Sequence, residues 1–145
     1  MPTDSSELRR LIALANTLRT TAQALSDHAF ELWMAGELSD ADYDLVGVDY
    51  MEIVRRVQQL HVCGSRLAAS ELAPLLDMVE GARGTLEQHL DRIDQIKDVL
   101  TIATKMLRVA ATLVTAVTAP GSAGAAVTAI TDLVQTWMAV SNKEA

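Results

Sequence analysis

Asp40, Asp42 and Asp44 stand at every second position, the spacing at which an EF-hand loop places its first oxygen ligands for calcium. Such a loop needs glycine at its sixth position and a bidentate glutamate at its twelfth. Leu45 and Met51 occupy those positions, so a calcium site is not expected. A second carboxylate series, Glu87, Asp91, Asp94 and Asp98, repeats at steps of four, three and four and falls on one stripe of a helix. A metal there would need His or Glu ligands from neighbouring helices. No Glu-x-x-His pair is present, and Arg92 and Lys97 partly neutralise the row, so it reads as a solvated face.

Other chemistry finds no foothold. His28, His61 and His89 lie on different segments, without a His-Glu-x-x-His arrangement and without zinc-ligand spacing to Cys63. His89 falls on an apolar seam and His61 beside one, as buried hydrogen-bonded histidines do. Ser5, Ser6, Ser39 and Ser70 sit where helix caps are expected, and no Gly-x-Ser-x-Gly elbow occurs. Gly81-Ala82-Arg83-Gly84 lacks the strand context and the Lys-Ser/Thr ending of a phosphate loop. Cys63 is the sole cysteine, placed as a structural thiol, and no internal disulfide can form. The sequence therefore predicts no enzyme, no cofactor and no metal.

What remains is a charge pattern. No Lys or Arg lies between Arg19 and Arg55, whereas Asp27, Glu31, Glu37, Asp40, Asp42, Asp44, Asp49 and Glu52 do. Trp33, Tyr43 and Tyr50 fall in the same stretch. Acids in a first helical turn complement the helix dipole at about 0.3–1 kcal/mol each, which accounts for Asp40 and Asp42. It does not account for Asp49, Glu52 or the missing bases. An acidic surface with aromatics suits a basic protein partner. The residues expected to bind it are Asp40, Asp42, Tyr43, Asp44, Asp49, Tyr50 and Glu52.

The formal net charge of −7 over 145 residues argues against nucleic acid as a partner, because a phosphate backbone would be repelled. The length suits one domain, 1–145, and half of the residues are hydrophobic but only 3% aromatic, so the core must be aliphatic. The N-terminus lacks the basic region of a signal peptide and its first apolar stretch, Leu11 to Ala15, is short, so a cytoplasmic location, or export by a route that leaves no N-terminal signal, is expected.

The elements that must position these residues carry a helical period. Leu8, Leu11, Ala15, Leu18, Ala22, Leu25, Ala29 and Leu32 predict a helix over about 5–35, ended by Gly36. Ser39, an N-cap with Asp42 three residues on, opens a second helix over about 39–69 with its seam at Val46, Tyr50, Ile53, Val57, Leu60, Gly64 and Leu67. The short turn between them implies an antiparallel hairpin. This turn, Trp33-Met34-Ala35-Gly36, resembles the Trp-x-Gly turn of small secreted helical-hairpin proteins of bacterial type VII systems. It has one residue more, and the resemblance covers those four residues alone.

A third seam runs in one phase from Leu75 through Leu86, His89, Ile96 and Leu107 to Val117. A single helix over 71–118 would reach roughly 70 Å. Gly81 and Gly84, each costing about 1 kcal/mol in a helix interior, mark the expected break. A fourth helix over about 122–140 follows, with its seam at Val127, Ile130, Val134, Trp137 and Met138. The expected fold is all-α, an antiparallel four-helix bundle, or five helices if the chain breaks at 81–84.

Val109–Thr131 carries no charge, and Pro120-Gly121 divides it. Its layout resembles that of soluble α-helical pore formers and cell-death bundles, which hide an uncharged hairpin among amphipathic helices. Its strong apolar residues contribute only about −0.3 to −0.6 kcal/mol each on insertion, and five threonines and a proline offset them. Small Ala and Thr side chains instead favour close helix approach in a core or a homo-oligomer interface. The principal expectation is thus a non-enzymatic interaction module, of adaptor, chaperone or immunity-protein type. The alternative is a membrane-active bundle that releases 99–140 on a trigger.

Overall fold

The computed structural model describes residues 5–63, 69–88, 90, 93, 98–119 and 123–142. It forms an all-α bundle of helices α1 (Ser5–Met34), α2 (Asp40–Cys63), α3 (Ala69–Gln88), α4 (Val99–Thr118) and α5 (Ala123–Asn142). They pack as a ring in the order α1, α2, α4, α5, α3, with α1 also touching α4 across the middle.

The α1–α2 turn follows from its residues. Gly36 has φ +77°, a left-handed conformation that glycine adopts without penalty. The Gly36 N–H donates to the Trp33 carbonyl at 3.1 Å and the Glu37 N–H to the Leu32 carbonyl at 2.8 Å. This pair of bonds is a Schellman motif and satisfies the orphan carbonyls of α1. Ser39 then caps α2, its Oγ accepting from the Asp42 N–H at 3.1 Å.

The expected break at Gly81–Gly84 is corrected. Both glycines lie inside α3, and the segment expected over 71–118 is interrupted after Gln88 instead, with α4 beginning at Val99. Ala82 and Leu86 are buried and hold α3 helical through the glycines. Asp98 restarts the chain as an N-cap, its Oδ1 accepting from the Thr101 N–H at 3.4 Å. A continuous 48-residue rod would project beyond a bundle whose longest helix has 30 residues, exposing its apolar seam.

Position in the ring decides how much of each helix is buried. Helices α1 and α4 each meet three neighbours and bury two adjacent seams. In α1 the predicted seam is joined by Leu14, Thr21 and His28, and in α4 by Ile102, Met106, Val109, Leu113 and Ala116. In α5 the buried line is Ala126, Ala129, Ile130, Leu133 and Trp137; Val127 and Val134 are half-buried, and Met138, expected in the core, is exposed. Arg10 meets Glu80 at 4.0 Å and Thr17 meets Glu87 at 3.2 Å, so α1 and α3 run in the same direction. The Pro120-Gly121 turn, His89, Asp91, Asp94 and the expected seam positions Gly64 and Leu67 lie outside the described residues.

Candidate interaction surface at the acidic end

Where α1 ends and α2 begins, Trp33 and Tyr43 stack with ring centroids 4.9 Å apart and planes within 8°. Phe30 leans on both, its centroid 6.0 Å from Trp33 and 6.2 Å from Tyr43. The Trp33 indole N–H donates to Asp40 Oδ1 at 2.6 Å. Three rings on two helices therefore form one cluster, fixed to the first turn of α2 by a charge-assisted hydrogen bond.

The predicted binding residues divide among different tasks. Asp44 is exposed and directed outward, Asp40 is exposed but bonded to Trp33, and Asp42 is half-buried in the capped first turn. Asp49 turns toward α4 and accepts from Thr104 Oγ1 at 3.1 Å. The Tyr50 hydroxyl donates to Gln23 Oε1 on α1. Glu52 pairs with Arg55 at 3.7 Å. Asp49 and Tyr50 thus fasten the two edges of α2 to its neighbours, and the seven residues do not share one face.

Sequence reasoning missed the apolar part of this end. Among the described residues, the large apolar side chains left exposed are Phe30, Met34, Leu45, Val48 and Met51 here, with only Val62 and Met138 elsewhere. Each of the five is out of phase with the buried seam of its helix, which is the signal that could have found them. They share this end with Asp27, Glu31, Glu37, Asp40 and Asp44, all exposed.

Several other polar groups are engaged locally. Glu87 accepts from Thr17 and lies 3.5 Å from Arg83, while Arg83 also meets Glu80 at 3.1 Å. The hydrogen bond and charge of Glu80, then Glu87, raise the guanidinium pKa above its ordinary value. His61 lies 3.2 Å from Asn16, and the buried His28 has its Nδ1 3.8 Å from Glu31. Among the described residues no group of three His, Cys, Asp or Glu side chains is placed to hold a metal ion. Surface grooves run between helices: one of about 360 Å³ lies between Met78, Gly81 and Thr85 of α3 and Ile130 and Val134 of α5. Another of about 350 Å³ lies between Gln23 and Asp27 of α1 and Tyr50 of α2.

By length and composition, one helix among the described residues is long and apolar enough to cross a membrane: α4, whose apolar face is packed inside the bundle. No family model, no curated protein and no solved structure matches the chain.

Proposed function

We propose that this protein is a non-enzymatic interaction module that binds a basic protein partner at the α1–α2 end. One observation carries the reading: among the described residues, the exposed apolar side chains Phe30, Met34, Leu45, Val48 and Met51 fall in the stretch between Arg19 and Arg55, which holds eight acids and no Lys or Arg. Exposed aromatic and Met side chains supply contact area, and the acids supply steering and selection for a basic surface. Adaptor, chaperone and immunity-type inhibitor all fit this chemistry. A cytoplasmic setting goes with the reading.

The test compares wild type with Phe30→Ser/Met34→Ser/Asp44→Lys as baits in lysate of the source cells, followed by binding assays with the purified prey. The expected result is one basic protein retained by wild type and lost by the variant. Identical prey on both baits would overturn the proposal.

A second reading has one observation in its favour, the length and apolar composition of α4. On it, the α4–α5 hairpin leaves the bundle and enters a lipid bilayer. Release of dye from vesicles at neutral and acid pH is the expected result, and intact vesicles at both would remove this reading.

A further inference from the structure

We propose that the outer face of α2 seats an amphipathic basic helix of the partner, laid against Leu45, Val48 and Met51; the inference rests on the reading of the acidic end given above. These side chains are 49%, 58% and 69% exposed. They succeed one another at steps of three, so they stand on two consecutive turns of one helical face. That face looks away from Val46, Ile53 and Val57, which fill the core. A short ridge of apolar side chains on a rigid helix is what the apolar stripe of a second helix packs against, through positions three and four apart.

Charge selects the occupant. Asp44 is exposed beside the ridge, Asp40 and Glu37 stand at its N-terminal end, and α2 has no Lys or Arg before Arg55. Arg55 closes the ridge and pairs with Glu52 at 3.7 Å, so the negative charge is concentrated toward the start of α2. A second copy of this chain packed in parallel would set Asp44 against another Asp44, and one packed antiparallel would set it against the Glu52–Arg55 pair, which has no net positive charge to offer. An anionic membrane is repelled for the same reason. A helix with Lys or Arg flanking its apolar stripe, and its densest basic end toward Asp40, matches both the ridge and the field.

The test titrates the full chain with a synthetic helical peptide of Leu on one face and Lys on the other. A scrambled peptide of the same composition serves as control. The proposal expects at least tenfold tighter binding of the amphipathic peptide, and at least tenfold loss in Val48→Ser/Met51→Ser with its thermal melt unchanged. Asp44→Lys weakens both peptides. Equal binding of the two peptides, unaffected by Val48→Ser/Met51→Ser, overturns the ridge as a docking site; the acidic reading survives if Asp44→Lys still weakens both. Absence of binding by either peptide overturns both readings. Binding of the chain to zwitterionic vesicles, abolished by Val48→Ser/Met51→Ser, would show the occupant to be lipid and overturn the proposal.

Discussion

Trp33 lies flat on Tyr43 with its indole N–H held by Asp40 at 2.6 Å, so the last turn of α1 and the first turn of α2 are clasped by one side-chain assembly. Parallel stacking of two rings contributes about 0.5–1.5 kcal/mol beyond the area buried. A double-mutant cycle on Trp33→Ala and Tyr43→Ala should therefore return a coupling energy of about that size by urea unfolding. Additive losses would mean that the rings are only neighbours. Trp33→Phe keeps a ring and removes the donor, and because Asp40 is exposed to water its cost should stay at about 1 kcal/mol.

Two glycines should respond to alanine with opposite signs. Gly36 sits at φ +77°, where a Cβ is strained, and Gly36→Ala should cost about 1–2 kcal/mol although nothing lies within 4 Å of the added carbon. Gly47 lies within α2, has ordinary helical backbone and also has open space around an added Cβ. Gly47→Ala should add about 0.5–1 kcal/mol and raise Tm by about 2–4 °C. Thermal melts of the two variants check both signs, and a stabilising Gly36→Ala would contradict the cap geometry.

The same contrast separates what single residues encode locally from what the assembled bundle imposes. Gly36 and Ser39 are local signals, and the α1 stop and the α2 cap are where those residues predict them. The break at Gly81–Gly84 failed because glycine penalties are small beside the burial of Ala82 and Leu86, and because bundle length is a global constraint. The second seams of α1 and α4 were invisible because neighbour number depends on the ring order of helices, which no single helix encodes. At the acidic end, composition found the charge but not the geometry. Asp49 and Tyr50 are fasteners to Thr104 and Gln23, and the exposed ridge of Leu45, Val48 and Met51 lies off the buried seam by which the helix was recognised.

Trp137 is fully buried in α5, and its indole N–H finds no acceptor among the described residues. A buried unpaired donor costs about 1–3 kcal/mol, while truncating a buried tryptophan costs about 3–5 kcal/mol. Trp137→Ala should therefore lose about 3–5 kcal/mol. Trp137→Phe should lose clearly less, because removing the unpaired N–H offsets part of the lost volume. A Trp137→Phe loss as large as that of Trp137→Ala in urea unfolding would contradict this.

Lys105 joins α4 to α5: its ammonium donates to Asp132 at 3.1 Å and to Thr136 at 2.7 Å, with the lysine side chain 27% exposed and the aspartate 42%. Partial exposure limits the pair, and solvent screening reduces its value toward that of a surface bridge. A cycle on Lys105→Met and Asp132→Asn should give a coupling of about 0.5–1 kcal/mol at low salt. In 1 M salt, where the Debye length is about 3 Å, the coupling should shrink. The clasp also bears on the membrane reading, because α4 and α5 are the helices that would have to leave the bundle together. Lys105→Met makes α4 more apolar and loosens its hold on α5, so dye release from vesicles should rise if that hairpin inserts. Unchanged and absent release in Lys105→Met, with the stability loss measured in the same preparation, would leave the hairpin as core and the acidic end as the working surface.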